Sequence, residues 1–153
     1  MKIRKYTSKD TKDMISVARS LPAWFTKKAL KNMEIDFPLQ YGYVAIDNNK
    51  LVGFISGSSQ DGITKISWLG INKKDRNKGI GKKLVLRLEK DFKKLGAKKM
   101  QVETVGWTDP LEKDYAQTRK FYKRAGFDKI VKKSSIKTEG KWQSKMYTYE
   151  KSI

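Results

Sequence analysis

The sequence of 153 residues contains no cysteine and no histidine. Without cysteine there is no disulfide, no thiolate nucleophile and no thiolate metal site. Without histidine there is no Ser–His triad, no imidazole base and no ordinary catalytic zinc. Acid–base work therefore falls to Asp, Glu, Tyr, Lys or water, and no metal cofactor is expected. Long hydrophobic runs are also missing: no stretch approaches the roughly 20 apolar residues that span a bilayer. The basic start from Met1 to Tyr6 is not followed by an apolar segment or a cleavage site, so it does not read as a signal peptide. A cytoplasmic protein without a membrane partner is the expectation.

Acidic residues are scarce. There are 16 Asp plus Glu against 35 Lys plus Arg, a formal net charge of +19. Such a field attracts polyanions, either nucleic acid or a cofactor carrying several phosphates. The basic residues are scattered, however, and the doublets Lys73-Lys74, Lys82-Lys83, Lys93-Lys94 and Lys98-Lys99 never grow into a tract. A solvated basic surface is the plainer reading, and nucleic acid is the less favoured partner.

What is present reads as one α/β domain over residues 1–153. Apolar residues, 38% of the chain, are spread along its whole length, enough for a core of ordinary size. A short strand at 3–6 leads to a helix carrying Met14, Ile15, Val17, Ala18 and Leu21, with N-cap choices among Thr7, Ser8 and Asp10. Thr26 caps a second helix through Ala29, Leu30 and Met33, broken at Phe37-Pro38. Strands at 41–46 and 51–56 form a hairpin across Asp47-Asn48-Asn49-Lys50, and a third strand follows at 65–71. From Gly79 the period turns helical, with Ile80, Leu84, Val85, Leu88, Phe92 and Leu95 on one stripe, stopped by Gly96. A strand at 98–105, a loop at 106–113, a helix from Asp114 to Arg124 and closing strands at 127–132 and 145–151 complete the order β-α-α-β-β-β-α-β-α-β-β. No repeat or linker divides the chain.

Between the third strand and the third helix stands Arg76-Asn77-Lys78-Gly79-Ile80-Gly81. A strand passing to a helix through Gly-x-Gly leaves several N–H groups aimed one way, and the helix dipole adds positive charge there. Missing Cβ atoms let an anion approach, and Arg76, Lys78 and Lys82 surround it with cations. By itself this is an anion site, and an ordinary βα loop on a basic surface would look similar. A dinucleotide fingerprint needs a third Gly where Leu84 stands, and no Walker-type loop is present.

Arg76-x-x-Gly79-x-Gly81, preceded by Trp68-Leu69-Gly70-Ile71, resembles motif A of the GCN5-related N-acetyltransferase (GNAT) superfamily. Thr118-Arg119-Lys120-Phe121-Tyr122-Lys123-Arg124-Ala125-Gly126-Phe127 is similar to its motif B, which ends in an aromatic pair and Gly-Phe. The two motifs lie in the family's order, and the element order matches its fold from end to end. The resemblance implies a mixed, mostly antiparallel sheet flanked by helices, with two central strands splayed at a bulge. It also implies acetyl-CoA as donor: the backbones of Leu69 and Ile71 would hold the pantetheine arm, the N–H groups of Asn77, Lys78, Gly79, Ile80, Gly81 and Lys82 the pyrophosphate, with Arg76 and Thr118 beside them.

The activity so implied is direct transfer of an acetyl group to a primary amine. Such an amine is almost wholly protonated at neutral pH, so a base is useful, and the departing thiolate wants an acid. Tyr122 matches the family's general acid; the plain alternative is that Phe121 and Tyr122 pack a helix end. Glu103, interrupting an apolar strand, is the candidate base, with water or a merely solvated Glu103 as alternatives. Ser67 stands on the preceding strand where some members carry an acid, and Tyr115 and Thr118 replace an Asn-x-x-Ala stretch. By the same resemblance acceptor contacts fall to Trp24, Phe25, Trp107 and Asp109, with Glu112, Asp114 and Trp142 nearby; the equal alternative for Trp24 is that it folds inward as part of a small core. A monomer or homodimer acting on a small-molecule or protein amine is expected. The rival reading is a basic nucleic-acid- or ribosome-associated binding module on the same fold.

Overall fold

Alternating and continuous apolar strands need cover on both faces, and the chain supplies helices for each. The computed structural model describes residues 1–107, 112–137 and 143–153, the side chains of 107, 112, 136–137 and 143–144 excepted. Its elements are β1 (Lys2–Lys5), α1 (Thr11–Arg19), α2 (Lys27–Asp36), β2 (Tyr41–Asp47), β3 (Lys50–Gln60), β4 (Ile63–Ile71), α3 (Ile80–Lys94), β5 (Lys99–Trp107), α4 (Glu112–Arg124), β6 (Lys129–Lys137) and β7 (Gln143–Ser152). The expected order is therefore observed. The strands form one sheet in the order β1-β2-β3-β4-β5-β7-β6. Among the described residues, β4–β5 is the parallel pair and the other neighbours are antiparallel. No described helix is long and apolar enough to cross a membrane.

Two cores result, one on each face. Ile80, Leu84, Val85 and Leu88 of α3 bury against Tyr43, Ile55, Met100 and Val102, and Tyr122 and Phe127 at the end of α4 join them. On the other face Met14, Ile15, Val17 and Ala18 of α1 and Met33 of α2 pack on Val44 and Phe54. The second core spans β2 to β4 only, so the corresponding face of β5 and β7 lies beyond α1 and α2. Each fully buried Leu or Ile contributes about 2 kcal/mol by leaving water.

Local chemistry sets the helix ends. Thr7 accepts from the Lys9 N–H, and the Asp10 carboxylate accepts from the Thr7 N–H in a capping box ahead of α1. Arg4 donates twice to Asp10, at 2.8 and 2.9 Å. Thr26 caps α2 as expected, accepting from the Ala29 N–H. Gly96 and Gly126, with φ of 104° and 98°, close α3 and α4 in the left-handed conformation. In each case the next N–H reaches back five residues, Ala97 to Phe92 and Phe127 to Tyr122.

Several boundaries differ from the expectations, each for a tertiary reason. β3 continues through Ser58, Ser59 and Gln60, which look like loop residues but pair with Lys65, Thr64 and Ile63. Gly126 and Phe127 belong to the closing turn of α4, so β6 starts at Lys129 and not at 127. β5 runs two residues past 105, because Val105 and Trp107 still pair with β7. α4 begins at Glu112, which puts Asp114 inside its first turn and not at its cap. Leu95, expected on the α3 stripe, is 82% exposed because it is the C-cap residue beyond the last turn over the sheet.

Lys151 of β7 donates to Glu89 of α3 at 2.7 Å and to the carbonyl of Ala125, the residue just after α4, at 2.9 Å, fastening three parts of the fold with one ammonium. Lys151→Met is expected to lower stability by about 1–3 kcal/mol, read as a lower denaturant midpoint at unchanged m-value. Arg4, helped by Thr7, holds the Asp10 carboxyl below its ordinary pKa. A depressed carboxylate stabilises the fold above its unfolded pKa and loses that contribution as pH falls through the folded value. Asp10→Asn is accordingly expected to flatten the acid limb of a stability–pH curve while lowering stability at pH 7.

Candidate active site

The site begins with a fault in the sheet. β4 and β5 pair from Ile63↔Lys99 to Ile66↔Val102 and no farther, although β4 continues to Ile71 and β5 to Trp107. The cause lies on the other edge of β4. Ser56 of β3 faces Trp68 while Gly57 faces Ile66, so Ser67 is an extra residue that bends β4 away from β5. The bulge is held from the α2 side. Gln40 donates to the Ser67 hydroxyl at 2.9 Å and accepts from Ser56 at 2.8 Å, and the Trp68 indole donates to Asp36 at 2.9 Å.

Backbone alternation then decides what faces the gap. The Asn72 N–H donates to the Val52 carbonyl at 2.8 Å, which makes residues 72 and 70 the ones bonded to β3. Leu69 and Ile71, the intervening residues, turn their N–H and C=O groups the other way, toward the opening. Their side chains pack on the α3 core.

Past Ile71 the chain makes a short 3-10 turn, Lys73–Asp75, and reaches α3 through Asn77 and Gly79, with φ of 62° and 77°. Gly79, the N-cap residue, has no side chain to cap α3, and Lys83 is the residue whose N–H bonds back to the Gly79 carbonyl. The preceding N–H groups remain at the helix mouth with the positive end of its dipole. Gly81 also packs closely: a Cβ there would lie 3.1 Å from the Phe121 ring of α4, which would have to shift by a few tenths of an ångström.

Gap, turn and α4 enclose a cavity of about 560 Å³. Of the residues singled out in the sequence, Leu69, Ile71, Arg76, Asn77, Gly79, Ile80, Gly81, Lys82, Thr118, Tyr122, Trp24 and Phe25 all line it. Lys78 does not; its ammonium lies 3.1 Å from a carboxylate oxygen of Asp75. Arg76 is stacked over the Trp24 ring at 4.3 Å and does not lie free beside the turn. Burial lowers its pKa, and Asp114 acts in the opposite direction. Thr118 is also engaged: its hydroxyl accepts from the Trp24 indole at 3.1 Å. With Tyr115 donating to the Ala23 carbonyl, these contacts strap the α1–α2 segment across the cavity.

Tyr122 is 6% exposed, between the rings of Phe121 and Phe127. Its hydroxyl makes no hydrogen bond among the described residues, and burial pushes its pKa well above the ordinary tyrosine value. Glu103 does not line the cavity. It is exposed on β5 opposite Thr148, on the sheet face away from the buried Val102 and Thr104. Asp109 and Trp142, and the side chains of Trp107 and Glu112, lie outside the described residues.

Leu21, Asp75, Gln117, Arg124 and Ala125 line the cavity without having been singled out. Those on or just after α4 were detectable, since 117, 121, 124 and 125 continue the three-to-four-residue spacing of the face that carries Thr118 and Tyr122. Asp75 carries no such signal; an acid beside a phosphate-type turn looks out of place until its burial is seen. The positive φ of Gly79, in open space, means that Gly79→Ala is expected to cost about 1–2 kcal/mol through backbone strain alone, measured by thermal unfolding.

Comparison with known structures places this geometry. A ribosomal-protein-alanine N-acetyltransferase from Brucella melitensis superposes with a TM-score of 0.77 at 14% identity, covering 100% of both chains. The aminoglycoside 6'-N-acetyltransferase from Enterococcus faecium gives 0.74 at 20% identity, over 99% of this chain and 97% of the other. An aminoglycoside 6'-N-acetyltransferase complexed with coenzyme A gives 0.72 at 21%, over 99% and 97%. A direct search of curated sequences returns no match. At these identities the superpositions speak for the fold. The sequence itself matches the profile of one acetyltransferase family across residues 14–127, from α1 through the end of α4, and the chain therefore belongs to the acetyltransferase (GNAT) family.

Proposed function

We propose that this acyltransferase moves an acetyl group from acetyl-CoA directly to a primary amine. The observation that carries this reading is the β4–β5 gap, with the peptide groups of Leu69 and Ile71 turned into it and the uncapped mouth of α3 at its end. The residues fit coenzyme A. Free peptide groups on a strand edge suit a pantetheine arm added as a pseudo-strand. Beyond them, the N–H groups of residues 77–82, with the nearby Lys82 and Arg124, suit a pyrophosphate.

When bound, acetyl-CoA supplies a thioester open to attack by an amine. Tyr122 is assigned as the acid. Its raised pKa keeps the hydroxyl protonated throughout the neutral range, and no described protein group competes for that proton. Trp24 and Phe25 form the wall toward the acceptor, and Trp107, the last residue of β5, and Asp109, two residues farther along the sequence, are assigned to the acceptor as well. An acceptor approaching over the face beyond α1 and α2 meets Glu103, which has no ion pair or hydrogen bond among the described residues. Glu103, or a water beside it, takes the ammonium proton. Only about one alkylamine in a few thousand is free base at pH 7, so this step sets the fraction of acceptor able to react.

Titration calorimetry with acetyl-CoA tests the donor half, and absence of binding would remove the proposal. Tyr122→Phe is expected to lower kcat about 100-fold with acetyl-CoA affinity unchanged. Because the Tyr122 pKa is raised, its deprotonation should produce no fall in kcat up to about pH 9.5. Glu103→Gln is expected to depress kcat/KM for the amine most strongly at neutral pH, the loss shrinking as pH approaches the amine's own pKa near 10.4. A pH-independent loss would point to an acceptor contact and not to a base.

A further inference from the structure

Asp75 is the feature of the cavity that a phosphate site does not explain. Its side chain is 7% exposed, it lines the cavity at the start of α3, and one carboxylate oxygen faces Lys78 at 3.1 Å. The other oxygen is buried with no hydrogen-bond partner. A buried carboxylate beside an anion site opposes the anion unless a cation neutralises it, and a buried oxygen left unpaired is destabilising. Lys78 is its partner among the described ion pairs. That ammonium belongs to a side chain 55% exposed, which has no other anchor among the described residues.

We propose that Asp75 is a positioning residue of the donor site: it holds the ammonium of Lys78, which does not itself line the cavity, 3.1 Å from a carboxylate that does, so that one ammonium serves the carboxylate and the cofactor pyrophosphate together once coenzyme A is bound. A free lysine on a flexible stem loses considerable rotamer freedom when it engages a phosphate. Holding it beforehand removes part of that loss; the ammonium offsets the Asp75 carboxylate, and the mouth of α3 with Lys82 and Arg124 answers the charge that the pyrophosphate brings. The arrangement makes a specific demand: Asp75 helps binding only through Lys78. Without Lys78 the carboxylate is an unpaired negative charge facing the phosphates, and it should then hinder binding. The inference rests on the reading of this cavity as a coenzyme A site.

The test is calorimetric affinity for coenzyme A and for pantetheine, which lacks the phosphates, in wild type, Asp75→Asn, Lys78→Met and the double variant, with the unfolding temperature of each. Asp75→Asn is expected to weaken coenzyme A about fivefold and Lys78→Met more than tenfold. The double variant is expected to bind coenzyme A more tightly than Lys78→Met alone, and pantetheine affinity should stay level across the series. Asp75→Ser serves if the Asn variant does not fold. A coenzyme A affinity unmoved or improved by Asp75→Asn, with only the unfolding temperature lowered, would make Asp75 a structural residue and overturn the inference. So would additive losses in the double variant. If the wild type bound no coenzyme A, the donor reading itself would fail, an outcome distinct from either of these.

Discussion

One extra residue in one strand organises this molecule. Ser67 has no opposite number on β3, and the bend it forces in β4 ends the pairing with β5 at Ile66↔Val102. Everything chemical follows from that break. A parallel sheet paired to its end would spend the polar groups of Leu69 and Ile71 on β5, leaving no gap for a ligand to enter. The bulge does not stand alone: Gln40, Ser56 and the Asp36–Trp68 bond clamp it from the end of α2, so the gap belongs to the folded state and not to a mobile edge.

Around the gap the chain arranges opposing charges with economy. The uncapped mouth of α3, Lys82 and Arg124 favour an anion, while Asp75 and Asp114 set limits on where the cations can go. Arg76 is drawn onto Trp24, and Trp24 is bonded to Thr118, so motif A, motif B and the α1–α2 segment meet at one indole. The donor cavity and the wall assigned to the acceptor therefore share a side chain.

Much of the fold was legible because local signals and tertiary demands agree. The α3 stripe as far as Phe92, the Thr26 cap, the Asn48-Asn49 hairpin turn and the Gly96 and Gly126 stops each read correctly, since propensity, capping and burial point the same way there. The misread boundaries share another cause. Ser58 to Gln60 and the end of β5 are strand only because a neighbour pairs with them, and Leu95 is exposed only because the sheet beneath it has ended. Single-residue patterns carry no information about where a neighbour stops. Most of the predicted residues that line the cavity came from two motifs whose backbone geometry is local. Glu103 was chosen by its contrast with apolar neighbours, a signal that marks an outward-facing strand position whether or not it meets a ligand.

By itself the sequence determined the order of elements, the glycine turn at the start of α3 and the confinement of acid–base chemistry to Tyr, carboxylates, Lys or water. Those follow from periodicity, turn chemistry and the absence of His and Cys, all of which act over a few residues. Only the tertiary structure decided that Thr118 and Arg76 are engaged with Trp24, that Lys78 answers to Asp75, and that Tyr122 lies buried with its hydroxyl unengaged among the described residues. These pairings join groups 3 to 94 residues apart, and a side chain takes whichever partner the packed backbone brings within about 3 Å. The chain names the candidates, and long-range packing selects among them.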